Sequence, residues 1–536
     1  MAARELQAVG LVRESNAGDP AHLEENKTPK GITERDAFVL FISIFIVGLC
    51  GIIYELLIGS TSSYLLGDSV KQFSLAIGLT MMAMGIGSYL SRLIEDNLIS
   101  WFIGVQIALG LVGGLSVPIL YLAFSMTEFY YIYMISLIVA IGTLVGLEIP
   151  LLTRILEGFY VLKFNISNVL SLDYLGALIA SLLFPFFLLP FFGILDSSLI
   201  IGIINLIVGF LNLWWFKDQM KLKTRRILYS YSISVCALLL VFFVFSGNFL
   251  AFWEKGIYED KVILSKQTKY QKVVLTKNRD DLRMYINGNL QFSSIDEYRY
   301  HESLIHIPLS FAPSKENILV LGGGDGLAVR EILKYPEVNK VTIVDLDPVI
   351  TELAARHPML RAMNQNSMSH EKVTVVNKDA MKFLENANEF YDVIIADLPD
   401  PNNISLARLY SREFYKLVRS KLSKGGIFVT QSTSPFYAKK AFWSIYKTME
   451  EAGFENVYPY HAYIPSFGDW GFVMGSALKI DTRSATLNVP TKYLDVSLTS
   501  ELFYFSKDLI DNDVTFSTLD KPKVLTYYLD GWKYWR

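Results

Sequence analysis

The stretch ILVLGGGDGLAVREILKYPEVNKVTIVDLD, residues 318–347, decides the fold of the C-terminal half of this chain. A short apolar run, 318–321, breaks into three glycines, 322–324, and a helical pattern follows. A second apolar run, 341–344, ends in Asp345. Strand, glycine turn, helix, strand and acid form one βαβ unit of a nucleotide-binding parallel sheet. The glycines let the backbone approach a ligand, and the acid can accept both hydroxyls of a ribose.

Asp325 sits among these glycines and departs from ordinary nucleotide-binding loops. Such a loop usually faces a phosphate or a carboxylate, which the Asp325 carboxylate would repel. An acid at this place suits a cationic ligand without phosphate, such as an adenosyl sulfonium compound that has lost its carboxylate. The alternative is that Asp325 only caps the start of the following helix.

The composition indicates a membrane protein with a separate soluble part. Hydrophobic residues make up 52% of the 536 residues and charged residues only 19%, which is more apolar than ordinary soluble proteins. The formal net charge of -3 argues against a nucleic-acid partner. The only two cysteines, Cys50 and Cys236, lie in separate apolar runs, so we expect neither a disulfide framework nor a thiolate metal site. The six histidines are dispersed, and we expect no bound metal.

The N-terminal half contains apolar stretches of membrane-spanning length. Residues 1–35 are polar, carry no secretory signal and are expected to form a flexible tail. We expect about seven transmembrane helices in a domain covering residues 36–250, because each following stretch could cross a hydrocarbon core of about 30 Å. The stretches are 38–57, 73–90, 101–124, 129–152, 169–192, 199–216 and 227–245. The protein is therefore predicted to be a multi-pass protein of the cell membrane, with the lipid bilayer as a partner.

Three acids inside these stretches call for an explanation. An ionised group in a span costs on the order of 3 kcal/mol, so Glu55, Glu148 and Asp173 are unusual. Two interpretations remain open. In one, they bind a cation such as a polyamine; in the other, they lie near span ends or pair with Arg154 or a backbone group.

The sidedness of the membrane is in conflict with the chemistry inferred below. Seven spans place the Lys- and Arg-rich loops near Arg92, 154–163 and 217–226 on the side of the N-terminal tail. The positive-inside rule then puts this side in the cytoplasm and the C-terminal half outside. A cytosolic nucleoside substrate requires the C-terminal half to be cytoplasmic, and one miscounted span would remove the conflict.

From about Trp253 the composition becomes that of a soluble protein. Strands are predicted at 261–265, 272–276 and 282–286, with Asn287-Gly288 as a hairpin turn. They form a small β-strand domain, residues 251–312. Alternating strands and helices then predict a doubly wound Rossmann-like domain, residues 313–480. Residues 481–536 are expected to pack on it as a C-terminal extension.

Five aspartates follow the predicted strands of the Rossmann-like domain, at the edge where open α/β sheets bind ligands. They are Asp325, Asp345, Asp379, Asp397 and Asp400. Carboxylates without histidine or cysteine argue against a transition metal, and no lysine-bearing loop provides the phosphates that magnesium would need. An acidic edge of this kind suits a diamine or triamine, and crowded carboxylates raise one pKa as a general base requires. The alternative is a proline-braced loop at 397–401 with solvated acids.

Several motifs in the C-terminal half resemble one enzyme family. In order they are Tyr270-Gln271, NGNLQFSSIDEYRYHE (287–302), LGGGDG (321–326), VDLD (344–347), NKDA (377–380), DLPDP (397–401), QSTSP (431–435) and WGF (470–472). Together they resemble the spermidine synthases (polyamine aminopropyltransferases), which share the fold of class I methyltransferases. With the preceding helices, the whole chain is similar to the membrane-fused members of that family.

The resemblance implies an activity and a set of site residues. The family passes the aminopropyl group of its co-substrate, decarboxylated S-adenosylmethionine, to a putrescine-like amine and releases methylthioadenosine; no other cofactor and no metal is implied. A homodimer stays open as the assembly. The implied donor-binding residues are Gln271, Gly322, Gly324, Asp325, Asp345 and Asp379, the acceptor-binding residues are Tyr300, His301 and Asp400, and the catalytic base is Asp397. Within the donor set, Asp345 would hold the ribose, Asp379 would lie by the adenine, and Asp325 with Gln271 would bind the aminopropyl end.

Departures from the family pattern leave the acceptor amine open. Leu398-Pro399 replaces two serines of the usual soluble pattern, and Phe467 stands where a tyrosine is common. Two rival functions also remain. One is a membrane methyltransferase that uses intact S-adenosylmethionine, whose carboxylate Asp325 would oppose. The other is a polyamine transporter or sensor in which the soluble half only binds.

Overall fold

The computed structural model describes residues 33–67, 69–157, 162–258 and 260–535. The predicted tail, 1–35, lies outside the described residues except for its last three positions. The described chain forms a helical bundle, a small four-stranded sheet, and a seven-stranded sheet with helices packed on it.

The N-terminal half is a bundle of apolar helices. Their bounds are α1 Glu34–Leu66, α2 Ser69–Leu90, α3 Leu98–Gly114, α4 Ser116–Met126, α5 Tyr130–Leu156, α6 Leu162–Leu183, α7 Leu189–Trp215, α8 Leu222–Val244 and α9 Ser246–Ile257. Among the described residues, six helices are long and apolar enough to cross a membrane, with α3 and α4 counted as one.

The seven predicted stretches fall in six helical segments among the described residues. The fifth and sixth predicted stretches both fall in one 50-residue helical segment, Ile166–Trp215, which comprises most of α6, a π-helical turn at Phe184–Leu188 and α7. The segment is interrupted at Gly193, whose φ of 72° is open to glycine but strained for other residues. Sequence hydropathy separates the two apolar stretches but does not reveal that helix continues between them.

The two arms of this segment run in opposite directions along α1. Val169 of α6 lies in the same apolar cluster as Leu40 near the start of α1, and Ala180 lies in the cluster that contains Ile53 further along it. In α7 the order is reversed, because Ile201 packs in the cluster of Ile53 and Asn212 donates a hydrogen bond to Ser43. The chain therefore still passes along the bundle seven times, and the conflict over sidedness persists.

Small residues bring these helices into close contact, as the sequence predicts. A Cβ atom added to Gly202 of α7 would lie 2.7 Å from the Cα of Gly114 of α3. One at Gly87 of α2 would lie 2.1 Å from the carbonyl oxygen of Thr143 of α5. Packing of this kind holds helices together in lipid, where the hydrophobic effect does not.

Among the described residues, Arg154 forms no ion pair with the acids of the apolar stretches, so this suggested pairing is wrong. Its guanidinium donates to the carbonyl oxygens of Ser91 and Ile94, at 3.1 and 2.6 Å, and so closes the end of α2. Glu148 is only 1% exposed. The other interpretation of the acids is taken up below.

The predicted small β-strand layer is confirmed as an antiparallel sheet in the order β1-β2-β3-β4. The strands are β1 Lys261–Gln267, β2 Lys272–Asn278, β3 Asp281–Ile286 and β4 Asn289–Ser293. Asn287 and Gly288 have φ values of 49° and 79°, as the predicted two-residue hairpin requires. A buried ion pair of 2.6 Å between Lys272 of β2 and Glu254 of α9 joins the sheet to the bundle.

The Rossmann-like sheet is also confirmed, with the order β10-β11-β9-β8-β5-β6-β7. Its strands are β5 Asn317–Gly322, β6 Lys340–Asp345, β7 Val373–Asn377, β8 Tyr391–Asp397, β9 Leu422–Gln431, β10 Asn456–Ile464 and β11 Gly468–Ser476. The five strands that lie in the order β9-β8-β5-β6-β7 are all parallel to their neighbours. Strand β11 is antiparallel to both β9 and β10. Strand β10, which contains Pro459, was not predicted from the sequence. It is an edge strand, where proline is tolerated.

Helices cover both faces of this sheet and form two cores. They are α10 Glu297–Phe311, α11 Leu327–Ile332, α12 Pro348–Arg356, α13 Pro358–Met363, α14 Ala380–Asn386, α15 Ile404–Ala407, α16 Arg412–Ser420, α17 Lys439–Glu451, α18 Val496–Glu501 and α19 Lys523–Trp532. Apolar side chains of α10 and α11 pack on one face, and those of α14, α16, α17 and α19 on the other.

The C-terminal segment is tied to the sheet domain through Glu302 of α10. Its buried carboxylate accepts hydrogen bonds from the backbone N–H groups of Lys492, Tyr493 and Leu494, at 2.7 to 3.0 Å. Charge-assisted bonds of this kind are stronger than neutral ones, and three of them hold one turn of chain.

Replacing Glu302 should loosen this attachment. Glu302→Ala leaves three backbone donors without their acceptor, and we expect the free energy of unfolding to fall by at least about 1.5–3 kcal/mol, the value of one hydrogen bond to a charged group. Thermal melting and limited proteolysis of the purified full-length protein measure the change, with cleavage expected first in residues 481–536. The exposed Glu501→Ala is the matched control. Equal melting and equal proteolysis of the two variants would contradict this role.

Candidate active site

The glycine loop after β5 lies directly against the end of β8. The N–H of Gly323 donates to the carbonyl oxygen of Asp397 at 3.0 Å. A Cβ atom at Gly322, whose φ is 82°, would lie 2.0 Å from that same oxygen. Only glycine allows this approach, which places the Asp397 side chain beside the loop.

Asp325 lies in the turn between the loop and α11. Its Oδ1 accepts the N–H of Leu327 at 2.9 Å, so the helix-capping alternative holds for one of its two carboxylate oxygens. Burial, together with the negative charge of Asp397, raises the pKa of the Asp325 carboxyl to about 6 against the opposing charge of His301. A simple solvated cap would not show this shift, and the carboxyl is therefore placed to gain from a cationic ligand.

Asp345, at the end of β6, faces the glycine loop from the other side. Its Oδ2 accepts the N–H of Gly324 at 3.1 Å, and its Oδ1 accepts the N–H of Asp347 at 2.8 Å. Burial raises the pKa of the Asp345 carboxyl to about 6 in spite of these two hydrogen bonds. The two backbone donors fix the orientation of the carboxyl before a ligand binds.

Asp397 is held by Tyr300 of α10, whose hydroxyl donates to Oδ1 at 2.7 Å. Burial raises the pKa of the Asp397 carboxyl, while His301 and the Tyr300 hydroxyl oppose the rise. Asp325, Asp345 and Asp397 are the three members of what we call the acidic cluster. Each is half-buried and has a raised pKa, as expected of functional carboxyl groups.

A buried chain of charges lies behind this cluster. The Nδ1 of His301 lies 2.8 Å from Oε2 of Glu297, and Arg330 of α11 donates to both oxygens of that carboxylate at 2.9 Å. Despite burial, His301 and Arg330 lower the pKa of Glu297 to about 2. Burial opposes the charged form of His301, but Glu297 overrides it and raises the pKa of His301 to about 9.

The predicted donor residue Gln271 reaches the site through a residue that the sequence analysis did not assign. Its amide nitrogen donates to Oδ2 of Asp347 at 3.2 Å, and the hydroxyl of Thr268 donates to the same oxygen at 2.7 Å. The other oxygen of Asp347 caps α12 through the N–H of Val349. Asp347 therefore fixes the β1–β2 connection over the end of β6.

Asp379 and Asp400 lie outside the acidic cluster. Asp379 caps α14 and forms an ion pair with Arg408, so its charge is already compensated. Asp400 accepts long hydrogen bonds from the amide of Gln431, at 3.3 Å, and from the hydroxyl of Thr433, at 3.5 Å. Asp379 and Asp400 therefore have polar partners of their own, and their roles in donor and acceptor binding stay predictions.

Aromatic side chains form a wall next to Tyr300. The ring of Phe467 lies 6.0 Å from that of Tyr300 and 5.0 Å from that of Trp470. The loop that carries Phe467 is held by Asp296, whose carboxylate accepts the N–H and the hydroxyl of Ser466 at 2.6 and 2.9 Å. An apolar wall beside buried acids suits an alkyl chain that ends in an amine.

Three residues that position the site are not among those expected from the sequence: Glu297, Arg330 and Asp347. A signal existed for two of them, because Glu297 lies in the quoted 287–302 motif and Asp347 in 344–347. Arg330 had no such signal, since its partner is 33 residues away in the chain.

Comparisons with known proteins point in one direction. The family model of the spermine/spermidine synthase domain matches residues 297–485. The polyamine aminopropyltransferase of Leptospira interrogans serogroup Icterohaemorrhagiae serovar copenhageni is 42% identical over 493 residues, which are 92% of this chain and 98% of that protein. Polyamine aminopropyltransferase 2 of Ralstonia nicotianae is 42% identical over 505 residues, 93% of this chain and 99% of that protein. A solved spermidine synthase, in complex with the transition state analogue AdoDATO, matches 46% of this chain and 86% of its own with 24% identity and a TM-score of 0.43.

Removing one charge from the acidic cluster should stabilise the ligand-free protein. A carboxyl with a raised pKa favours folding below its unfolded pKa and loses that contribution as the pH rises through about 6. Asp325→Asn keeps the Leu327 hydrogen bond, and we expect it to raise the free energy of unfolding by on the order of 1–3 kcal/mol above about pH 6. The gain should vanish below about pH 3, where the carboxyl is protonated in both states.

The matched comparison is Glu297→Gln, which we expect to lower the free energy of unfolding at neutral pH. The lowered pKa of Glu297 gives stability that is present at neutral pH and is lost as the pH falls towards about 2. Thermal melting of the two variants across this pH range measures both effects. A destabilised Asp325→Asn at neutral pH would overturn the electrostatic description of the cluster.

Proposed function

Because the chain belongs to the polyamine aminopropyltransferase family, we propose that it transfers an aminopropyl group from decarboxylated S-adenosylmethionine to putrescine or a similar small amine. The products are spermidine, or its analogue, and methylthioadenosine. The observation that carries the proposal is the acidic cluster, three half-buried carboxyls with raised pKa values around a glycine loop. Such a site favours a donor that is cationic and has no carboxylate.

The donor would lie across the ends of β5 and β6. Gly322 and Gly324 allow its nucleoside to approach the backbone, and Asp345 would accept the ribose hydroxyls. Asp379 would lie on the adenine side. The aminopropyl ammonium would meet Asp325, with the amide of Gln271 nearby. Intact S-adenosylmethionine carries a carboxylate at this end, which Asp325 would repel, and this disfavours a methyltransferase.

The acceptor would enter along the aromatic wall of Phe467 and Trp470. Asp400 and His301 would orient the amine, and Tyr300 would hold Asp397 in place. Asp397 would take a proton from the attacking ammonium, whose nitrogen would then bond to the propyl carbon attached to sulfur. The carbon–sulfur bond breaks, its electron pair stays on sulfur, and methylthioadenosine leaves as a neutral thioether. Alignment and one base are sufficient for this displacement.

The helical bundle would anchor this enzyme in the cell membrane. The catalytic half would face the cytoplasm, where the nucleoside donor is made, although the Lys and Arg residues of the loops favour the opposite orientation. Protease access to the catalytic half in sealed inverted vesicles tests this orientation.

Product analysis of the purified full-length protein tests the activity. Decarboxylated S-adenosylmethionine is offered with a panel of amines, and mass spectrometry follows the products. The expected result is methylthioadenosine in equal amount with one aminopropylated amine. A methylated product from intact S-adenosylmethionine, or no turnover with any amine, would contradict the proposal.

Donor selection should depend on Asp325. In Asp325→Asn the attraction to the donor ammonium is lost, and binding of the decarboxylated donor should weaken by about 1.5–3 kcal/mol. Binding of intact S-adenosylmethionine should change less or improve, so that the difference in affinity between the two donors becomes smaller. Calorimetric titration with each donor measures this. Equal affinity of the wild-type protein for both donors would remove the basis for this role.

Catalysis should depend on Asp397. Asp397→Asn should lower kcat by roughly 10²–10⁴, the usual value of a general base, with donor binding almost unchanged. Raising the pH should partly restore the rate, since more of the amine is then neutral. Asp400→Asn is the matched control and should act mainly on the KM of the amine. Wild-type turnover by Asp397→Asn at neutral pH would exclude it as the base.

A further inference from the structure

The membrane bundle contains a buried polar cluster that the proposed transfer reaction does not use. Five of its helices contribute: α1, α3, α5, α6 and α7. We call it the bundle cluster, and its members are Tyr54, Gln106, Glu148, Asp173, Asn205 and Asn212. All except Asp173, which is partly buried, are at most 1% exposed.

Contacts between the members show that they form one group. Asn212 donates to Oε1 of Gln106 at 3.1 Å, and Asn205 donates to the backbone oxygen of Gln106 at 3.3 Å. Glu148 lies within electrostatic range of both Asp173 and Tyr54. Asp173 packs against Gly48 of α1, next to these side chains.

The bundle cluster has an excess of unpaired hydrogen-bond acceptors. Among the described residues, both carboxylate oxygens of Glu148 and the amide oxygens of Asn205 and Asn212 are buried without a hydrogen-bond partner. One group that can only donate, the amide nitrogen of Gln106, is also unpaired. Among the residues that the structure describes, the bundle cluster therefore has four unpaired acceptor oxygens and one unpaired group that can only donate.

This excess indicates the chemistry of a missing ligand. An unpaired polar group in the hydrocarbon region is costly, and ionisable residues at such positions mark the sites and pathways of ions or substrates. Four acceptors, one pair of them a carboxylate, call for a ligand that is cationic and donates several hydrogen bonds. An alkylammonium group has both properties, since it carries a positive charge and up to three N–H donors.

The cluster is elongated along the bundle. Asn205 and Asn212 are seven residues apart on α7, which corresponds to about 10 Å at 1.5 Å per residue. These two side chains therefore start from different levels of the bundle. A chain with ammonium groups separated by methylenes would match such a row, whereas a single alkali ion would require its ligands to converge.

We propose that the bundle cluster is a second binding site, inside the membrane domain, for an alkyl polyamine. Glu148 is the anionic partner of one ammonium group, and the oxygens of Asn205 and Asn212 accept hydrogen bonds from the rest of the chain. The site is separate from the acidic cluster, and amine bound there does not take part in the transfer reaction.

Carbodiimide labelling of the wild-type full-length protein in detergent tests the site directly. Dicyclohexylcarbodiimide enters apolar regions and modifies carboxyl groups, and peptide mass spectrometry reports the modification of Glu148. Spermidine should slow this labelling by on the order of tenfold or more, while NaCl at equal ionic strength should not. No protection by spermidine overturns the proposal. Equal protection by NaCl also overturns it, in favour of an alkali-cation site.

A binding count with one substituted side chain gives an independent test. Equilibrium dialysis with radiolabelled spermidine should find one bound equivalent fewer in Glu148→Gln than in the wild-type protein. The exposed Glu128→Gln, a matched change at the start of α5, should keep the wild-type count. Aminopropyl transfer by Glu148→Gln should be unchanged, which also shows that the variant is folded. An unchanged count in a folded, active Glu148→Gln would overturn the proposal.

Discussion

The hydrogen bond from the N–H of Gly323 to the carbonyl oxygen of Asp397 is the contact on which the rest of the site depends. It joins the ends of β5 and β8, which are already parallel neighbours. Gly322 has to be a glycine there, because a Cβ atom would overlap that carbonyl oxygen. The same contact sets the distance between Asp397, at the end of one strand, and Asp325 and Asp345 around the loop of the other. The chemistry of the site follows from this short backbone approach.

The site combines carboxyl groups whose ionised forms are unfavourable, on the side of the glycine loop, with a favourable group of ion pairs behind them. On the side of the loop, burial raises the pKa of Asp325 and of Asp345 to about 6, so their ionised forms are unfavourable while the site holds no cation. Behind them, Glu297 is paired with both His301 and Arg330, and its pKa is lowered to about 2. This pairing fixes α10 and so places Tyr300 on Asp397. A cationic ligand would stabilise the ionised forms of Asp325 and Asp345 without disturbing the ion pairs of Glu297.

Most elements of the fold could be predicted from the sequence, because the pattern that indicates each element lies within a few consecutive residues. The glycine loop, the strands that end in Asp345 and Asp397 and the Asn287-Gly288 turn were all predicted in this way. Strand β10 was missed, since Pro459 and its mixed burial conceal an edge strand. The remaining differences are tertiary contacts. Arg154 bonds to carbonyl oxygens of another helix end, Asp379 to Arg408 and Gln271 to Asp347, and no spacing in the sequence encodes those choices.

The central claim is that a cationic donor binds among carboxyl groups whose pKa values are raised in the empty site. Calorimetric titration of the full-length protein with decarboxylated S-adenosylmethionine, repeated in buffers of different ionisation enthalpy, counts the protons exchanged on binding. Near pH 6, about half of each carboxyl with a pKa of about 6 is protonated, and the cation should displace those protons. The account predicts net proton release near pH 6 that diminishes by about pH 7.5. Proton uptake, or no exchange at either pH, would contradict it.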